Sequence, residues 1–249
     1  MPIRVFITGD RACFTRPEMK SERVSYEAPT PGALEGLLQS IYWKPSMRYV
    51  IDQIIVFNPV SFINLRRNEV KSKVKLGKMK AQMKEAEACE EVQADPRIYI
   101  TEDRTQRSSM ILNNVRYGVT FHIELTGRCN EREQQESDAH GSLMKHEEIF
   151  RRRCHKGQCF RQPYLGCSEF PADICLADDF SGVPVCPENM GTRDLGFMLY
   201  KVRFLDEGYT AQGKPRDGCW SNRAESLFYH PVMKDGVIDV VAYREDLKC

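Results

Sequence analysis

The sequence has almost no net charge: 36 Lys and Arg stand against 35 Asp and Glu, a formal +1. A global field that draws the chain to a polyanion is excluded, so any such affinity must come from local patches. No segment approaches about 18 uncharged apolar residues, and MPIRVFITGD holds no apolar stretch of signal-peptide length before Asp10 and Arg11. No membrane partner is expected, and the chain reads as cytoplasmic. Neither GxGxxG nor GxxxxGK[ST] occurs, which removes the main sequence support for nucleotide-cofactor folds. With 41% hydrophobic and 29% charged residues, disorder, collagen and solenoid classes are also out.

Ten cysteines are present, but they spread from Cys13 to Cys249 in a chain of 249 residues, unlike the framework of a short secreted domain. Reduced thiols are expected. Five lie between Cys154 and Cys186 without a CxxC pair, and the nearest histidine is the adjacent His155. Structural zinc favours tight knuckles, so a cysteine-ligated zinc protein ranks as a third reading and no metal or cofactor is expected.

Ile3 to Thr8 reads as an opening strand closed by Gly9-Asp10. Thr30-Pro31 then starts a helix with Leu34, Leu37, Leu38 and Ile41 on one face, stopped by Pro45. Met47 to Ile63 is a second strand with a bend at Asn58-Pro59. Residues 66–106 look like an exposed, partly helical insertion. Its first part carries Arg66, Arg67, Lys71, Lys73, Lys75, Lys78 and Lys80 against Glu69, and its second part is acidic. Val115 to Leu125 alternates as a strand, Gly127 to Gly141 is polar, and a helix at Lys145 to His155 precedes a strand at Cys159 to Gly166. The order β-α-β-β-α-β is the split pattern of ferredoxin-like and RRM-like domains. Beyond it lie runs at Leu195 to Phe204 and Ser226 to Val241, the latter broken by Asp235-Gly236, a hairpin signal. The expected class is α+β. An RRM-like domain spans 1–176 with its insertion, and a small C-terminal antiparallel β-sheet fills 177–249.

The stretch GDRACFTRPEMKSERVSYEAPTPGALEGLLQSIYWKP, followed by YVIDQIIVFNPVSFINLRRNEV, RQPYLGCSEFPADI and PVMKDGVIDV, resembles the Cas-five family of CRISPR-associated proteins, in its subtype I-C variant. The resemblance implies an RAMP-superfamily protein that cuts precursor CRISPR RNA at the repeat hairpin without metal. It implies that the protein then stays on the 5′ handle as a Cascade subunit, beside backbone and large subunits and, through the complex, target DNA. The family's catalytic Tyr on the first helix and Lys-His pair ahead of the second fall here on Tyr42, in IYWKP, and on Lys145 and His146, in LMKHEEIF. The rival reading is a structural subunit that caps the 5′ handle without cutting.

The chemistry asks for these residue types. Cleavage by the neighbouring 2′-OH needs a base at that hydroxyl, an acid at the leaving 5′-oxygen and positive charge at the phosphorane. Histidine serves either proton role, lysine supplies a compact cation, and tyrosine donates, accepts or stacks. On a helical wheel Tyr42 falls roughly 80° from Leu34, at the edge of the apolar stripe, and Trp43 roughly 180° away, pointing outward. Lys20, Arg23, Arg66, Arg67 and Arg151 are the expected RNA-binding cations. Arg151, Arg152 and Arg153 span about 200° of a helix, so they cannot all face one ligand. RYGVTFHIEL lacks the RNP1 signature, so base stacking on the sheet face is not implied.

Overall fold

The alternation of Ile3, Val5 and Ile7 with Arg4, Phe6 and Thr8 builds the first strand of a computed structural model that describes residues 2–19, 21–72, 76–88, 99–126, 139–204 and 224–248. The elements are β1 (Ile3–Ala12), α1 (Pro31–Ile41), β2 (Met47–Val56), β3 (Phe62–Val70), α2 (Leu76–Ala88), β4 (Arg104–Leu125), α3 (Ala139–His155) and β5 (Asp173–Ala177). They continue with β6 (Thr192–Asp194), β7 (Met198–Phe204), β8 (Ala224–Tyr229), β9 (Val232–Lys234) and β10 (Val237–Asp239). The class is α+β and rich in sheet. Two compact units are present, Met1–Ile63 with Met110–Cys249, and Asn64–Ser109. Among the described residues no helix is long and apolar enough to cross a membrane.

The first unit is built on an antiparallel sheet in the order β5-β1-β4-β2-β10-β9-β6. Its register stacks apolar side chains: Ile3 lies opposite Phe121, Val5 opposite Val119 and Ile7 opposite Tyr117, all buried. A register shift between Ile51 and Gln53 lets β2 follow β4 while keeping Ile51 and Ile54 inside. α1 packs on β2 and β7, and α3 on β5 and α1. Between helices and sheet, Tyr49, Phe121 and Phe150 form an edge-to-face triangle with ring centroids 5.4–5.7 Å apart.

α1 begins as its sequence dictates. The Thr30 hydroxyl accepts from the Ala33 N–H at 3.2 Å, Pro31 occupies the first turn, and Leu34, Leu37, Leu38 and Ile41 are buried. It stops at Ile41, because Tyr42 turns to φ −154°, ψ 132°, its N–H making the last helical bond, to the Leu38 carbonyl. Tyr42 is therefore placed by extended backbone, and the helical wheel does not govern it. At the other end of the chain, Asp235 (φ 50°) and Gly236 (φ 76°) make the expected hairpin turn between β9 and β10. Gly236 is required twice over, since a Cβ there would lie 3.0 Å from the Val56 carbonyl oxygen.

In the second unit, β3 pairs with β4 and α2 supplies the expected helix. Ser72 binds the Asp103 carboxylate through its N–H at 3.0 Å and its hydroxyl at 2.6 Å. Period-two alternation separates the two arginines of RRNEV. Arg66 is exposed, whereas Arg67 is held by Ser109 at 3.1 Å and Glu69 at 3.3 Å.

The structure corrects three expected elements. The run from Met47 to Ile63 is two strands, because Asn58-Pro59 ends β2 and the chain restarts at Phe62. Cys159 to Gly166 is not a strand. Pro163 lacks an N–H, Gly166 sits at φ 81° with its Cα against the Cys13 carbonyl, and the N–H groups of Phe160 and Arg161 bond to Ser40 of α1. The strand comes later, as β5. The C-terminal runs do not all form one small sheet. β7 and β8 pair as a separate ribbon, while β10 joins β2 and carries β9 and β6 onto the main sheet. The polar stretch at 127–138, Lys20, Lys73 and Lys75 lie outside the described residues.

Phe150 is fully buried in the aromatic triangle. Phe150→Ala should lower stability to urea by about 3–5 kcal/mol. A loss below about 1 kcal/mol would show that α3 is not anchored through this ring.

Candidate active site

Three elements meet at the end of α1. The turn after α1 supplies Tyr42, the residue before β2 supplies Ser46, and the second turn of α3 supplies His146. The Tyr42 hydroxyl lies 2.9 Å from His146 Nδ1, and the Ser46 hydroxyl lies 3.4 Å from His146 Nε2. All three are buried, with His146 3% and Tyr42 5% exposed. Lys145, one residue before His146, is exposed. The structure thus brings together two of the expected trio and leaves the third at the adjoining surface.

The backbone around Tyr42 is fixed from both sides. The Tyr49 hydroxyl donates to the Tyr42 carbonyl at 2.6 Å, and Arg153 donates from Nη1 to the Ile41 carbonyl at 2.9 Å. Burial pushes the Tyr49 phenol well above its ordinary value, so it remains a donor throughout the working pH range. The Arg153 guanidinium also lies over the Tyr42 ring, 5.4 Å from its centroid. The Thr126 N–H closes the site at its base by bonding the Ser46 carbonyl at 2.9 Å.

Chemically, a phenol and an imidazole in one hydrogen bond can exchange a proton without moving heavy atoms. In the neutral ring one nitrogen accepts and the other donates, and protonation makes both donors. Burial keeps water away from that exchange. Beside Tyr42 the surface opens into a cleft of about 440 Å³, also lined by Trp43, Lys44, Arg153, Phe160, Arg161 and Tyr164.

The remaining expected residues are dispersed. Arg23 donates to Cys167 Sγ at 3.4 Å and lies 3.9 Å from Glu169, and it is not among the residues lining the cleft at Tyr42. Arg66 and Arg67 belong to the Asn64–Ser109 unit. Arg151 is partly exposed on α3, but it is Arg153, two residues on, that meets the Tyr42 ring. Sequence reasoning missed Ser46, Arg153 and Phe160. Only Arg153 left a trace, as one of three arginines that could not share a direction. His122 on β4 hydrogen-bonds with Asp52 at 2.9 Å and Glu124 at 3.3 Å. Cys13, Cys154, Cys159, Cys167, Cys175 and Cys186 are free, and among the described residues no three His, Cys, Asp or Glu side chains group as metal ligands.

Tyr42→Phe removes a buried hydrogen bond and should lower stability by about 1–3 kcal/mol, while Ser46→Ala, which loses a longer one, should cost less. Urea unfolding of both variants measures this; a greater loss from Ser46→Ala would mean that Ser46 is the imidazole's principal partner.

The family described as CRISPR-associated protein (Cas_Cas5) matches residues 3–241. A protein of Mannheimia succiniciproducens named CRISPR pre-crRNA endoribonuclease Cas5d is 39% identical over 99% of this chain and 98% of its own length. A Thermus thermophilus protein of the same name is 32% identical, covering 96% of this chain and 91% of its own. A crystal structure of a CRISPR-associated protein, 22% identical, matches the fold with a TM-score of 0.60 over 96% of this chain and 91% of that one. With a family match over nearly the whole chain and relatives of this similarity, the chain belongs to the Cas5 family of CRISPR-associated proteins, in its subtype I-C branch.

Proposed function

We propose that this protein is an endoribonuclease that cuts precursor CRISPR RNA, with Tyr42 and His146 as its proton-transfer pair and Lys145 as its phosphate-facing cation. The observation that carries the site assignment is the buried 2.9 Å contact between Tyr42 and His146, made in a chain whose relatives bear that activity in their names. In the reaction, the 2′-OH loses its proton and attacks the adjacent phosphorus as the bond to the 5′-oxygen breaks. The departing oxygen takes up a proton, and the products are a 2′,3′-cyclic phosphate and a 5′-OH. The Tyr42–His146 pair accepts the first proton and returns one to the leaving group. Lys145 offsets the charge that grows on the phosphorane oxygens. None of these steps calls for a metal ion.

The frame we assign to this site is RRM-like. The strand order β5-β1-β4-β2, with α1 and α3 in the two crossings, supports it. The separate compaction of Asn64–Ser109 supports reading 66–106 as an insertion. Within 177–249, the β7-β8 ribbon supports an accessory part, while β6, β9 and β10 extend the main sheet. After cutting, the protein stays on the 5′ handle and joins the backbone and large subunits of a cytoplasmic Cascade, which reaches target DNA through its RNA. Arg66, exposed on β3, meets phosphate more readily than Arg67, which Ser109 and Glu69 hold.

Incubating the protein with a labelled repeat hairpin in excess EDTA should yield a 2′,3′-cyclic phosphate. A 2′-deoxy nucleotide immediately 5′ to the scissile phosphate should abolish cutting but not binding. His146→Ala should slow cutting by on the order of 10²- to 10⁴-fold with hairpin affinity nearly unchanged. Strict dependence on Mg²⁺, or normal cutting of the deoxy substrate, contradicts the mechanism; wild-type rates in His146→Ala remove the histidine from it.

A further inference from the structure

IYWKP carries more than Tyr42. Trp43 is 52% exposed, and Phe160 is 90% exposed on the loop that was expected to be a strand. Both rings border the cleft beside Tyr42, with Tyr164 completing an aromatic wall. Single exposed apolar residues are ordinary, but aromatic rings converging on one cleft are not. The cleft's charged lining residues are Lys44, Arg153 and Arg161, three cations and no carboxylate.

We propose that this cleft holds one unpaired nucleobase of the RNA substrate, stacked on Trp43 and Phe160, with its flanking phosphates on Lys44, Arg153 and Arg161. The inference rests on the endoribonuclease reading and adds to it a substrate-positioning site. Aromatic faces accept any base that is free of its duplex, and a paired base offers no free face. A cationic rim suits the phosphates on either side of that base and disfavours an acidic peptide equally apolar at its centre. The wall is preorganised. The N–H groups of Phe160 and Arg161 bond to the Ser40 carbonyl at 2.8 and 3.2 Å, which ties the loop to α1. The Arg161 guanidinium lies 5.1 Å from the Tyr164 ring centroid, and Arg153 is fixed by its bond to Ile41. Because Tyr42 is shared between the cleft and the contact to His146, a base held here brings its own ribose and phosphate to the proton-transfer pair.

Gly36 offers a way to close the cleft without touching that pair. It lines the cleft from within α1, and a Cβ there meets nothing within 4 Å. Leucine at this position also favours helix over glycine.

The test uses a repeat hairpin with a 2′-deoxy nucleotide 5′ to the scissile phosphate and a single 2-aminopurine placed in turn at each unpaired position nearby. One position should lose fluorescence on binding wild-type protein, and the loss should shrink with Trp43→Ala or Phe160→Ala and disappear with the double variant or Gly36→Leu. Each alanine variant should weaken hairpin binding by about 5- to 150-fold, the range expected for one lost stack. An abasic nucleotide at the same position should weaken wild-type binding at least as much as either alanine variant and add little to the Trp43→Ala/Phe160→Ala double variant. Unquenched 2-aminopurine at every position, or abasic and double-variant losses that multiply, overturns the proposal. So does full RNA affinity in the variants combined with failed assembly onto other subunits, which would assign the cleft to a protein. Cutting of unmodified hairpin by the wild type is scored separately. Its absence removes the endoribonuclease reading, while the quenching result still decides whether the cleft takes a base.

Discussion

A hydrogen bond between the Tyr42 hydroxyl and His146 Nδ1 joins the end of α1 to the interior of α3, and the site is arranged around it. Two polar rings buried to this depth are tolerable only if their polar atoms are bonded, so the contact constrains structure as well as chemistry. It requires α1 to end at Ile41, Tyr42 to run extended and α3 to begin early enough to bring His146 inward. Tyr49 and Arg153 enforce the first two conditions by bonding the Tyr42 and Ile41 carbonyls. The aromatic triangle under α3 enforces the third.

Placing the pair just past the end of one helix and within another, with Ser46 before a strand start, gives it a rigid mounting. The sheet contributes indirectly. Tyr49 belongs to β2 and packs on Phe121 of β4, so the register between those strands sets where the Tyr49 hydroxyl points. The loop at 156–172 has a different part. It crosses from α3 to β5, is stitched to α1 through Ser40, and presents Phe160 and Arg161 beside Tyr42. One surface therefore adjoins the buried Tyr42–His146 pair to exposed aromatic and cationic groups. That combination fits a reaction in which a polyanion must be gripped while two protons move.

Much of this was legible in the sequence wherever one local signal sufficed. The Thr30-Pro31 cap and the leucine spacing define α1, the alternation from Ile3 defines β1, and Asp235-Gly236 defines a hairpin. Tyr42 and His146 came from the motifs IYWKP and LMKHEEIF and from family resemblance, since nothing in the spacing of positions 42 and 146 shows that they touch. What was illegible depended on distant partners. Cys159 to Gly166 has the composition of a strand but gives the N–H groups of Phe160 and Arg161 to α1. Arg67 looks like a free cation until Ser109 and Glu69 take it, and the β10 strand joins β2 across most of the chain. Arg153 rather than Arg151 meets Tyr42 because a 100° step per residue turns only one of the three arginines toward the end of α1.

The claim that Tyr42 and His146 act as one unit is tested most directly by single-turnover cutting of a repeat hairpin by Tyr42→Phe, His146→Gln and the double variant, each shown to be folded. Groups that share one proton-transfer role are strongly non-additive. The account predicts that both single substitutions slow cutting and that the double variant is no slower than the slower single by more than about threefold. Losses that multiply in the double variant, or a single substitution that cuts at the wild-type rate, would contradict it.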